Sequence, residues 1–185
     1  MPTQPNRTKK STPNDVVMTP EKTAIKIIEH FQPKGSILEP CRGTGTFYNN
    51  FPNEDKDWCE ISEGKDFLHY EKHVDWIITN PPFSIFDSFL EQSLKISDNI
   101  VFFCPLNKVF KSIKLDKKIY AYGGIKEVIH MGTGGMHGFP FGFVVGCIYY
   151  KRGYQGPIEY TRMYAEEKYG SSTLNKFTCE ENKCI

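Results

Sequence analysis

The 185-residue chain carries 23 basic and 22 acidic side chains, a formal net charge of +1, and is 39% hydrophobic and 14% aromatic. That is enough apolar material for one substantial core in one domain, and the near-neutral balance excludes a whole-protein field driving it onto nucleic acid or membrane. No apolar run reaches the roughly 20 residues of a membrane span and the N-terminus lacks a signal-peptide core, so a soluble, intracellular protein of cytoplasm or nucleus is expected.

Residues 1–14 hold no aliphatic side chain after Met1 but contain Pro2, Pro5, Pro13 and the cations Arg7, Lys9 and Lys10, which predicts a flexible basic tail. Thr19-Pro20-Glu21 reads as a helix start, with Thr19 as cap and Pro20 in the first helical position. Ala24, Ile27, Ile28 and Phe31 then share a face, and Pro33-Lys34-Gly35 ends the pattern. A short strand over 36–38 leads into Glu39-Pro40 and a turn, Cys41-Arg42-Gly43-Thr44-Gly45, whose glycines let backbone approach a ligand closely. The turn lacks the third glycine of a dinucleotide fingerprint and the Lys-Ser/Thr of a phosphate loop, so neither NAD nor ATP is the natural guest.

A second strand over 57–61 carries Glu60, about fifteen residues beyond Gly45, where a carboxylate can take both hydroxyls of a ribose. Asp66 and Phe67 follow, an acceptor for an exocyclic amine and a ring to cover an adenine. The apolar run over 74–79 predicts a strand buried on both faces, and it delivers Asn80-Pro81-Pro82-Phe83. Two prolines remove two backbone donors and fix two φ angles, so the strand ends in a rigid corner with an amide acceptor beside a flat ring. That pairing suits a planar group bearing an NH2. A helical face from Phe86 through Leu94, a strand over 100–104 and the segment ending in Lys108 come next.

Strands over 125–131 and 143–150 flank a connection, 132–142, that holds five glycines with His137 and Phe139; this predicts a mobile aromatic loop joining an antiparallel pair at the sheet edge. A short strand over 158–163 and a polar tail over 165–185 complete the chain. Cys179 with Cys184, and His69 with His73, each offer half a metal site with no matching half, so no metal is expected and the six cysteines are read as reduced. Strand and helix alternation gives the fold class: α/β, a Rossmann-like, doubly wound, mostly parallel sheet.

In order and spacing, Thr19-Pro20, Glu39-Pro40-Cys41-Arg42-Gly43-Thr44-Gly45, Glu60, Asp66-Phe67 and Asn80-Pro81-Pro82-Phe83 resemble the S-adenosylmethionine-dependent methyltransferases that modify N6 of adenine in DNA or RNA. The resemblance spans 15–150 and implies a methyltransferase domain over 15–164 with a seven-stranded class I sheet carrying an antiparallel edge strand. It further implies S-adenosyl-L-methionine as cofactor, held by Thr19, Pro20, Glu39, Pro40, Cys41, Gly43, Gly45, Glu60, Asp66 and Phe67. Asn80, Pro81, Pro82 and Phe83 would be the catalytic motif, with Phe83, Lys108, His137 and Phe139 on the substrate side. DNA stands slightly ahead of RNA. Methylation of a protein glutamine amide poses the same chemical problem, although enzymes of that kind generally carry Tyr where this chain has Phe83, and a non-catalytic scaffold subunit is the other alternative. About 35 residues separate Gly45 from Asn80 and about 30 follow the strand over 143–150, which leaves little room for a target-recognition domain. Sequence specificity is therefore expected to be low or supplied by a protein partner.

Overall fold

A computed structural model describes residues 17–108, 110, 112–140 and 142–164; the expected tails over 1–14 and 165–185, with Cys179 and Cys184, lie outside the described residues. Seven strands, β1 (Ile37–Glu39), β2 (Lys56–Trp58), β3 (Val74–Thr79), β4 (Ser97–Pro105), β5 (Gly123–Thr133), β6 (Val144–Arg152) and β7 (Glu159–Arg162), form one sheet in the order β2-β1-β3-β4-β6-β5-β7. Helices α1 (Glu21–Phe31), α2 (Thr46–Asn50), α3 (Phe86–Ile96) and α4 (Ile113–Tyr122) cover it.

The continuous apolar run of β3 is explained by two cores. Ile77 packs with Phe86, Leu90, Phe102 and Leu115 on the α3/α4 face, while Ile78 packs with Ala24, Ile27, Phe47 and Phe103 on the α1/α2 face. Both residues are fully buried because successive side chains of a strand point to opposite faces and both faces are covered.

β6 is antiparallel to both of its neighbours, β4 and β5, and the other pairings are parallel. The expected antiparallel strand is thus present, two places in from the edge, and the edge itself is β7, parallel to β5. The short connection over 134–143 can return the chain only antiparallel. Six consecutive buried residues over 145–150 then favour an interior position for β6, whereas β7 is mostly exposed.

Two local expectations shift. Pro20, at ψ 140°, is the cap of α1 rather than its first helical residue, and its carbonyl accepts from the N–H groups of Thr23 and Ala24. Thr19 makes no capping bond; it is buried at the helix entry. Helix α4 had no counterpart in the sequence reading, although Ser112 caps it through the Leu115 N–H and Leu115, Ile119 and Tyr122 form a buried stripe. The strand order reverses at β1, with β2 on one side and β3 on the other, so the crevice at the C-terminal ends of β1 and β3 is where such a sheet receives a ligand.

Candidate active site

Asn80 follows Thr79, the last residue of β3. Its Nδ2 donates to the Val17 carbonyl at 3.0 Å, which fixes the side-chain amide so that Oδ1 is the free end. Oδ1 is buried and has no hydrogen-bond partner among the described residues. A buried acceptor left unpaired is costly, and its retention at a double-proline corner points to a donor supplied from outside. Pro82, at φ −64° and ψ 122°, leads into a single helical turn, Phe83–Ile85, directly before α3. The half-buried Phe83 ring stacks on Phe139 at 5.7 Å and 27°, and its carbonyl accepts from Lys108 Nζ at 3.1 Å.

β1 delivers Glu39 to the same crevice. The turn after it closes with Gly45 N–H donating to the Arg42 carbonyl, and Gly45 sits at φ +85°, a conformation that favours glycine. Carboxylates take one donor of the turn and one of α2: Glu60 Oε2 accepts from Gly43 N–H at 2.8 Å, and Glu39 Oε2 accepts from Tyr48 N–H at 2.6 Å. Glu60 Oε1 accepts from both the N–H and the hydroxyl of Ser62. The turn therefore presents acid where a phosphate loop presents free N–H groups.

Burial pushes the Glu39 carboxyl up to about 8, against the opposing pull of the Tyr48 N–H and the Arg42 charge. Burial also raises Glu60, but the Gly43 and Ser62 donors and Arg42 outweigh it and hold that carboxyl below its ordinary value. The crevice thus holds one carboxylate and one carboxylic acid at neutral pH, a combination that rewards a cation by ionising the second.

Cys41 ties the glycine turn to the Asn80 corner. Its Sγ donates to the Asn80 carbonyl at 3.2 Å and lies 3.0 Å from Thr79 Oγ1, whose hydroxyl donates to the sulfur. Pro40 is buried between Glu39 and Cys41, and a Cβ on Gly43 would stand 3.2 Å from Met18 Sδ. Glu39, Pro40, Cys41, Gly43, Gly45, Glu60 and Asn80 are thereby gathered at one end of β1 and β3, with 17–20 laid across them.

Other expected residues sit differently. Asp66 is an N-terminal cap, accepting from Leu68 N–H and facing His69 Nδ1. Phe67 is 2% exposed and packs on Phe89, so its ring belongs to the core rather than to a ligand face. His137, expected in a mobile loop, is 2% exposed in a helical turn, Gly134–His137. Its Nε2–H donates to the Met131 carbonyl and its Nδ1 accepts from Thr23, which leaves neither nitrogen for a substrate. Phe139 is buried as well and stacks on Phe83.

Four further residues, none of them part of a sequence motif, stand around the glycine turn and the corner. Val17 orients Asn80, and Met18 lies over Gly43; both precede the first periodic segment and give no pattern signal. Trp58 is held between the Arg42 guanidinium at 3.7 Å and Lys65 Nζ at 3.6 Å. Ile61, 65% exposed beside Glu60, was legible as an apolar residue following the strand-end acid.

No family model matches the chain, and no curated protein matches it significantly in sequence. Solved structures do match in fold. A protein from Listeria monocytogenes described as a class I S-adenosylmethionine-dependent methyltransferase aligns with TM-score 0.62 at 17% identity, over 82% of this chain and 67% of that one. A modification subunit of a type I restriction enzyme from Vibrio vulnificus aligns with TM-score 0.61 at 14% identity, over 83% of this chain and 48% of the subunit. The 23S rRNA methyltransferase ErmE aligns with TM-score 0.56 at 13% identity, over 76% and 73%. The chain has the fold of the class I S-adenosylmethionine-dependent methyltransferases, and it spans about half the length of the type I modification subunit it resembles.

Proposed function

We propose that this chain is an S-adenosylmethionine-dependent methyltransferase acting on N6 of adenine in nucleic acid, with DNA slightly ahead of RNA. The observation that supports it most is Asn80 Oδ1: buried, unpaired, held outward by Val17 and set beside the Phe83 ring. A carbonyl in that state needs an N–H donor, and a ring beside it selects a donor attached to something flat.

The acidic turn fits the cofactor. Glu39 faces its positive charge and Glu60 its ribose hydroxyls, and these carboxylates, which already hold the Gly43 and Tyr48 N–H groups, repel a phosphate. When bound, the cofactor supplies a methyl group on a sulfonium, an activated leaving group that needs neither metal nor covalent enzyme intermediate. The chain's own residues prepare the acceptor. The adenine amine is a poor nucleophile because its lone pair is delocalised into the ring. Asn80 Oδ1 and the Pro81 carbonyl accept from its two hydrogens and return electron density to nitrogen, while Phe83 stacks on the base and aims it. Lys108 fixes Phe83 from behind through the main-chain carbonyl. In duplex substrate the base must leave the stack, at a cost of a few kcal/mol. A protein partner supplies sequence specificity, in keeping with the subunit character of the Vibrio vulnificus neighbour.

Incubation with methyl-labelled cofactor and adenine-containing DNA and RNA, digestion to nucleosides and mass spectrometry test the reading. N6-methyladenosine or its deoxy form is expected. Cofactor binding without transfer to either polymer overturns it, and label recovered in a protein glutamine moves the activity to that amide.

A further inference from the structure

At the edge of the sheet, β7 alternates. Thr161 turns its hydroxyl to Glu127 and Met163 packs on the α1/α2 core, whereas Tyr160, Arg162 and Tyr164 project from the opposite face. Tyr160 is 58% and Tyr164 47% exposed. Both rings are nevertheless held, because their hydroxyls converge on His130 Nδ1 at 3.2 and 3.3 Å and the His130 ring meets Tyr164 edge-on at 5.2 Å. The Arg162 guanidinium lies 5.7 Å from the Tyr160 ring centre.

We propose that Tyr160, Arg162, Tyr164 and His130 form a stacking platform for unpaired bases of a single-stranded nucleic acid, flanking the nucleotide whose base enters the Asn80 corner. The inference rests on the methyltransferase reading for that last clause only. Three observations carry the rest. Exposed tyrosine rings pinned by their hydroxyls are pre-ordered, so a base stacks on them with little loss of side-chain freedom. A guanidinium beside them matches phosphate, while the whole chain, at +1, offers no general field, so affinity has to come from stacking and a few local cations.

Position is the third. β5 and β7 run parallel to β3 and β4 across the antiparallel β6, so Tyr164 stands at the same end of the sheet as Asn80. Tyr164 also lies beside Gly132, 4.0 Å from where a Cβ would stand, at the start of the connection that brings Phe139 onto Phe83. The segment that starts beside Tyr164 at Gly132 thus also supplies Phe139, which stacks on the Phe83 ring of the corner.

Fluorescence anisotropy with a labelled adenine-containing oligonucleotide, single-stranded and as duplex, tests the platform without any methyl transfer. The parent chain is expected to bind the single strand more tightly than the duplex. Tyr160→Ala with Tyr164→Ala should weaken single-strand binding by about tenfold or more, as loss of base stacking does. Tyr160→Phe with Tyr164→Phe keeps both rings but frees them from His130, so it should bind more weakly than the parent yet about threefold or more tighter than the double alanine variant. Unchanged binding by the double alanine variant, an equal fall in the double phenylalanine variant, duplex-only binding, or no binding by the parent each overturns the platform. Unchanged circular dichroism and melting confirm that the variants fold. Single-strand binding that follows this pattern in a chain that transfers no methyl group keeps the platform and removes the methyltransferase reading.

Discussion

At the residue scale, hydrogen bonding and burial set the chemistry of two side chains, Asn80 and Glu39. Asn80 spends its donor on Val17 and keeps its acceptor. Asn80→Ala should therefore lower methyl transfer by about 10²-fold or more, the usual loss for one oriented transition-state partner, while cofactor affinity in equilibrium dialysis stays within about threefold. Glu39 gives a pH signature. Its carboxyl is raised to about 8 by burial, so it is neutral at pH 6 and a cation must draw a proton off it. Cofactor affinity is expected to rise with pH through 8 and then level, and Glu39→Gln should flatten that rise in a calorimetric titration. The same shift has the opposite sign for the ligand-free fold. A raised native pKa leaves stability fully present below the unfolded value of 4.5 and loses it as pH climbs to about 8, so the parent melting temperature should fall over that window and the Gln variant's should fall less.

At the scale of elements, glycines at close approaches control both the sheet and the cofactor turn. A Cβ at Gly146, on β6, would run into the Ile129 carbonyl of β5. Gly146→Ala should reduce the unfolding free energy by about 3 kcal/mol in urea titration, toward the upper end of single-substitution effects. Gly45 needs its positive φ of +85° to turn the chain from Arg42 into α2. Gly45→Ala strains that turn by about 1–2 kcal/mol, so cofactor binding should weaken by roughly tenfold with a smaller change in melting temperature.

At the scale of the whole molecule, the chain is a sheet covered on both faces with its chemistry at one end. The helices lie over the two apolar cores, and the C-terminal ends of β1, β3, β5 and β7 share the crevice side. Because net charge is only +1, nucleic-acid affinity should depend weakly on salt. A plot of log affinity against log salt concentration is expected to slope at about −1 to −3, the signature of one to three phosphate contacts. A much steeper slope would show a broad basic interface that the described surface does not present.

What the sequence determined by itself is the alternation of strands and helices, α4 excepted, and the identity of the corner. The run over 74–79 with Asn80-Pro81-Pro82-Phe83 and the Glu39 to Gly45 turn were legible, because strand burial, proline restriction and glycine turns are local effects, whereas the strand expected over 57–61 is Lys56–Trp58 and Glu60 lies beyond it, capping the helical turn Ile61–Glu63. Local pattern also suggested His137, Phe139 and Phe67 as ligand contacts, and here tertiary packing decided otherwise: the sheet needed their rings as core, and His137 closed its hydrogen bonds on Met131 and Thr23. Only the fold could reveal that Val17, 63 positions from Asn80, fixes the Asn80 amide, or that Cys41 joins turn to corner. Those are contacts between segments distant in sequence, and no periodicity encodes them. Likewise β6 lies inside the sheet because six buried residues in a row need cover on both faces, a requirement that the sequence states and only the assembled sheet can satisfy.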